Sequence, residues 1–154
     1  MSDDPATFTN PAPGDICQLI PHAGAMCLLD RVERWNAGEI ECIALSHTAL
    51  DNPLRQNDRL PIHAGIEYCA QAIAIHGSLL AGALLAGQAS QPRRGYLAVI
   101  MNAAWTVSRL DDRQGSLHII ATRQVALAQG VTYAFAVAHE GHTLLTGRTV
   151  VALE

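Results

Sequence analysis

The chain has 154 residues and 49% hydrophobic composition, enough for one domain around one sizeable core and too little for two independent ones. Its formal charge is −4 and its ten basic residues are all arginine, which excludes a broad basic surface for nucleic acid. Cysteines at 17, 27, 42 and 69 lack a C-x-x-C spacing and several lie among apolar residues, so they read as buried free thiols in a reducing cytosol, not as disulfides or a zinc site.

Residues 1–14, with Pro5, Pro11, Pro13 and Gly14, read as a flexible N-terminal leader without the basic and apolar pattern of a signal peptide. Residues 15–154 read as the folded domain. Asp15 is suited to cap a short helical turn through Leu19, and a loop with small residues follows at Ile20–Ala25. Met26–Trp35 and Glu39–His47 are predicted as two strands joined by a turn at Gly38. The polar run Asp51–Asp58 has no core pattern and reads as a lip over a site.

A long helix is expected next, to about Leu85, with Ile66, Cys69, Ala70, Ile73, Ala74, Gly77, Leu80, Ala81 and Leu84 as its buried stripe. Pro61 suits a helix start, where its missing N–H costs little. His63, Glu67, Gln71, His76 and Gln88 argue against a membrane span. Four strands complete the chain at Tyr96–Val107, Gly115–Val125, Val131–His139 and Thr143–Leu153, joined by short turns that predict antiparallel neighbours. In the strand after the helix, Met101 and Trp105 read as core residues, and Asn102 as a polar contact beside an acyl channel. With only one good helix, the fold class is α+β: a single antiparallel sheet with the helix lying on its concave side. Edge strands of such a sheet are most simply covered by dimerisation.

The chemistry concentrates at the start of the helix. His63 and Glu67 are four residues apart, so on a helix they share one side. The spacing serves either an acid/base pair or a surface ion pair or helix-start hydrogen bond, and spacing alone does not choose. Seven histidines are scattered without H-E-x-x-H or closely paired Cys and His ligands, so no metal site is expected. His76, inside the helix, reads as a core or interface histidine with a satisfied ring nitrogen.

Pro21-His-Ala-Gly-Ala-Met-Cys-Leu-Leu-Asp-Arg-Val32 resembles the amino-terminal Pro-His-Arg-x-Pro-Met/Phe-Leu-Leu-x-Asp-Arg-Val segment of the beta-hydroxyacyl-acyl carrier protein dehydratases. The order of elements resembles their hotdog fold, in which the sheet wraps a long central helix, and the likeness spans roughly residues 15–153. Pro61-Ile-His-Ala-Gly-Ile-Glu-Tyr-Cys-Ala-Gln71 is similar to the family's Pro-Gly-Val-Leu-x-x-Glu-Ala-Met-Ala-Gln. It also resembles the motif Leu-Pro-x-His-Ala-Gly-x-Glu-Tyr-x-Ala-Gln of a variant subgroup associated with aryl polyene and related lipid synthesis.

The resemblance implies dehydration of a 3-hydroxyacyl thioester on acyl carrier protein to the trans-2-enoyl thioester. Glu67 would be the acid, the backbone of Gly65 and Ile66 would polarise the thioester carbonyl, and Gln71 and His22 would give support. The family's upstream Gly-His-Phe-Pro histidine, fourteen residues before the acid, would fall at Pro53, where this chain has Asn52-Pro53-Leu54. His63 is therefore the replacement candidate for the base. No cofactor is implied beyond the phosphopantetheine that carries the substrate, and Arg93 and Arg94 are candidates for its phosphate or for an acidic carrier helix. The implied partners are the carrier protein and a second hotdog subunit, identical or related, in the cytoplasm. Two alternatives share the fold: an acyl-thioester hydrolase, and a non-catalytic acyl-binding subunit that stabilises an active partner.

Overall fold

A computed structural model describes residues 9–20, 26–84 and 95–153. The chain opens with a 3-10 turn at Pro13–Leu19, then β1 (Arg31–Trp35), β2 (Glu39–Ala44), a short 3-10 turn at Ser46–Thr48, the helix α1 (Ala64–Leu84), β3 (Gly95–Trp105), β4 (Leu117–Leu127), β5 (Gly130–His139) and β6 (His142–Leu153). The six strands form one sheet in the order β1-β2-β4-β5-β6-β3, antiparallel throughout. α1 lies against β2, β4 and β5, so the α+β hotdog arrangement expected from the sequence is the one observed.

Local chemistry explains where elements begin and end. The first turn starts with Pro13 in a position whose amide needs no partner, and Asp15 makes no side-chain cap. Residues 26–30, expected within the first strand, stay outside it: Leu28 N–H and the Met26 carbonyl bond the side chain of Gln71, and only Asp30 N–H reaches across to the Ile43 carbonyl of β2. The second strand stops at Ala44 and turns at Ser46, whose hydroxyl donates to the Leu28 carbonyl. Thr9 and Asn10, assigned to the leader by sequence, are held on β1: the Trp35 indole N–H donates to the Thr9 carbonyl, and the Asn10 amide to the Glu33 carbonyl.

Three sequence expectations change. The buried side of α1 runs through Ala64, Gly65, Tyr68, Cys69, Ala72, Ile73, Ile75 and His76, while Ala70 and Ala74 are only half-buried and Gly77 is exposed. Alanine and glycine occur all round this helix, so apolar periodicity marks its buried side poorly, and the sheet selects the side with the larger groups. Trp105 is 60% exposed and Met101 half-buried, because β3 is an edge strand and residues 102–105 turn outward at a bulge containing Asn102 at φ 55. Cys17 and Cys27 form a disulfide, their Cα atoms brought to 5.6 Å by the fold between the 3-10 turn and β1. Cys42 and Cys69 are buried free thiols as expected, with burial pushing the Cys42 thiol up to about 12 and that of Cys69 upward as well.

Gly147 faces Phe135 across the β5–β6 ladder, and a Cβ there would lie 2.5 Å from the phenyl ring. Gly147→Ala should therefore lower unfolding free energy by about 1–3 kcal/mol. Gly77, with open space at its Cβ position, should respond oppositely to Gly77→Ala, gaining up to about 1 kcal/mol. Urea unfolding of the two variants checks both signs.

Candidate active site

The segment ahead of α1 is bound to the stretch after β3 before it turns into the helix. Leu60 N–H donates to the Asp111 carboxylate at 3.0 Å, Leu110 N–H to the Leu60 carbonyl at 2.8 Å, and Ile62 N–H to the Ser108 carbonyl at 3.0 Å. Asp111 is also gripped by the Arg109 guanidinium through Nε and Nη2, which holds its carboxyl well below the usual carboxylate range. Three successive tight turns then wind the chain inward: Ala64, Gly65 and Ile66 donate to the carbonyls of Pro61, Ile62 and His63. A Cβ on Gly65 would lie 2.8 Å from Leu145 and 3.3 Å from Val137, so the first turn of α1 rests on β5 and β6 so closely that any larger residue would have to displace these buried side chains.

The side chains singled out by sequence separate at this point. His63 lies just before α1 and is exposed, and its ring makes no hydrogen bond or ion pair among the described residues, so the ion-pair reading of its spacing to Glu67 is not realised. Glu67 is half-buried on the first turn. Gln71, one turn further and 3% exposed, donates to a Glu67 carboxylate oxygen at 3.4 Å and to the Met26 carbonyl at 2.6 Å, and accepts from Leu28 N–H at 2.9 Å. Gln71 thereby joins Glu67 to the segment that leads into β1. The amides of Gly65 and Ile66 are engaged with the Ile62 and His63 carbonyls. His22, Arg93 and Arg94 lie outside the described residues.

Sequence reasoning missed the polar cluster beneath the helix start. Tyr68, fully buried, donates its hydroxyl to Ser46 Oγ at 2.7 Å and accepts from the Asn52 amide at 3.0 Å. Asn52 also donates to the Ser46 carbonyl and accepts from Leu54 N–H, so every polar group in the cluster has a partner. The Asn52-Pro53 dipeptide was the available signal, since Asn before Pro favours a turn closed by its own side chain. This cluster fixes the connection at the point where the related dehydratases carry their upstream histidine and where this chain has Asn52 and Pro53.

Three further histidines are held by buried or part-buried hydrogen bonds. His76 is fully buried, donates from Nε2 to the Asn36 carbonyl at 2.7 Å and accepts at Nδ1 from the Tyr133 hydroxyl at 2.6 Å, so its neutral form is completely satisfied. His47 is also fully buried and donates from Nε2 to the Arg113 carbonyl at 2.7 Å, leaving Nδ1 unpartnered. Burial lowers the pKa of both below the ordinary value. His139 bonds the neighbouring Gln114 carbonyl. Among the described residues no group of His, Cys, Asp or Glu side chains could hold a metal ion, and no helix is long and apolar enough to cross a membrane.

A sheet in this order wound around one long helix with a carboxylate on its first turn defines a hotdog-fold protein. The family is narrower: residues 14–153 match the ApeP-like family, described as ApeP dehydratase, and the chain belongs to it. Among solved structures it is similar to the dehydratase heterocomplex ApeI:P from Xenorhabdus doucetiae, with a TM-score of 0.77, 20% identity, and 94% of this chain and 92% of that one covered. It is also similar to a mutant of thioesterase PA1618 from Pseudomonas aeruginosa, with a TM-score of 0.64, 10% identity and 93% and 94% coverage. A hypothetical thioesterase with coenzyme A from Streptococcus pneumoniae gives 0.61, 12%, and 93% and 97%. At such identities these structures carry the fold alone. No curated protein matches the sequence.

Two outcomes follow from this geometry. The unfolded chain protonates His47 and His76 near pH 6.5 while the folded chain does so only at lower pH, so the stability they supply is complete above about 6.5 and is lost as pH falls below it. Urea midpoints should drop between pH 7.5 and pH 5.5, and His76→Gln should shrink that drop. Gln71→Leu, which strands the Leu28 N–H, should cost about 1–3 kcal/mol in the same assay.

Proposed function

We propose that this chain dehydrates a 3-hydroxyacyl thioester, carried on the phosphopantetheine of an acyl carrier protein, to the trans-2-enoyl thioester. The observation that carries this reading is the Glu67 carboxylate held through Gln71 on the first turn of the central helix in a chain of a dehydratase family. One Glu67 oxygen receives the Gln71 amide, which leaves the other to deliver a proton to the departing C3 hydroxyl. His63, exposed and without a partner among the described residues, takes the C2 proton, so C2–H and C3–O both break, the double bond forms between C2 and C3, and water leaves. The positive end of α1 around Gly65 and Ile66 stabilises the enolate-like charge on the carbonyl.

A second subunit belongs to the proposal. β3 is an outer strand of the sheet, and Val99, Ile100 and Trp105 on it are exposed, an apolar edge unpaired among the described residues that a second hotdog subunit would cover. The ApeI:P relative is a heterocomplex by name, which supports a related partner over an identical one. Because Asn52-Pro53 occupies the place of the upstream histidine, such a partner is also the alternative source of the base, and this chain would then supply Glu67 alone. Hydrolysis of the thioester is the competing reaction, favoured only by the fold shared with the two thioesterases.

Mass spectrometry of hydroxyacyl, enoyl and saturated acyl-carrier substrates separates these readings: loss of water marks dehydration and free acid marks hydrolysis. Glu67→Gln should lower the rate by about 10²–10⁴-fold with an unchanged unfolding midpoint. An equal loss in His63→Ala identifies His63 as the base. Full activity of that variant together with a hotdog partner assigns the base to the partner.

A further inference from the structure

Upstream of the helix start the chain forms a second feature that the reaction does not use. Gln56 and Arg59 pair as a two-residue hairpin, exchanging N–H···O bonds of 2.7 and 3.0 Å around Asn57 and Asp58, whose φ values of 51° and 62° match the turn that suits a right-twisted ribbon. Beside it lies an open groove of about 420 Å³ lined by Gln56, Asn57, Arg59, Pro61, Ser108 and Arg109. Its lining residues include two arginines, two carboxamide residues and a serine, and among the described residues no Asp or Glu is part of the lining.

The two arginines differ in a useful way. Arg109 is held by Asp111 through Nε and Nη2, which fixes its plane; among the described residues Nη1 has no partner, and the exposed Arg59 side chain has none either. Asp111 neutralises Arg109, so Arg59 brings the uncompensated charge. A planar, preorganised guanidinium beside a free one, with amide and hydroxyl donors around them, suits a phosphate with several acceptor oxygens. The groove is also tied to the site: Pro61 is part of its wall, Ser108 accepts from Ile62, and His63 follows directly. Four residue steps of at most about 3.4 Å and four helical steps of about 1.5 Å separate Arg59 from Glu67, so their backbones are at most about 20 Å apart, a span open to an extended pantetheine arm.

We propose that this groove binds the phosphate of the phosphopantetheine arm that carries the acyl thioester. The assignment rests on the proposed function for the identity of the arm, and it places the phosphate contact on Arg59 and Arg109. Binding of phosphopantetheine, pantetheine and inorganic phosphate to the full chain, measured by calorimetry, tests it without requiring turnover. Phosphopantetheine should bind about tenfold tighter than pantetheine, and Arg59→Glu, at an exposed position, should erase that preference while leaving the unfolding midpoint unchanged. Equal binding of the two by the wild type, or a preference that survives Arg59→Glu, overturns the proposal. Inorganic phosphate binding as tightly as phosphopantetheine overturns the assignment to the arm. A phosphate preference in a protein that releases no water from any carrier-bound substrate leaves the groove standing and removes dehydration; turnover with no such preference does the reverse.

Discussion

The first turn of α1 lies so close to β5 and β6 that a Cβ at 65 would meet Leu145 at 2.8 Å and Val137 at 3.3 Å. That approach fixes how deep the helix sits in the curl of the sheet. It thereby fixes where Glu67, two residues on, emerges. An alanine at 65 would have to push the helix start outward or displace branched side chains from a packed interior, which costs more than the methyl group contributes. Glycine here answers first to packing, and its amide, already bonded to the Ile62 carbonyl, is a secondary feature.

Buried polar side chains set the helix in rotation and register against its surroundings. Gln71 holds the segment before β1, Tyr68 holds the turn at Ser46 and the Asn52 connection, and His76 joins the end of β1 at Asn36 to Tyr133 on β5. Apolar contacts alone would leave a helix so rich in alanine and glycine free to settle at several rotations. Directed hydrogen bonds with completed partners select one, because any other rotation would leave a carboxamide, a phenol and an imidazole buried without partners. The same bonds bring Glu67 and the connection after β2 to one end of the helix, where the proposed chemistry lies.

The two outer strands are not equivalent. β1 is bonded by Thr9 and Asn10, while β3 presents Val99, Ile100 and Trp105 to solvent. A bulge at Asn102 interrupts the pairing of β3 with β6 and carries residues 102–105 outward, away from the interior. Reading Trp105 as core from its size and neighbours failed for this reason: nothing in the local pattern distinguishes a strand that packs inward from an edge strand that turns outward at a bulge.

The sequence alone determined the element order, the antiparallel sheet, the single central helix and the candidate Glu67, because short turns, two-residue alternation and the helix-start motif are local or near-local signals. The satisfied His76 and the buried thiols of Cys42 and Cys69 were legible for the same reason. Tertiary structure decided which side of α1 is buried, that Cys17 meets Cys27, that Gln71 reaches Met26 and Leu28, and that Arg59 and Arg109 share a groove. Each of these depends on groups distant in the chain arriving within a few ångströms, and for a helix apolar on nearly every side the choice falls to the partners available across the fold.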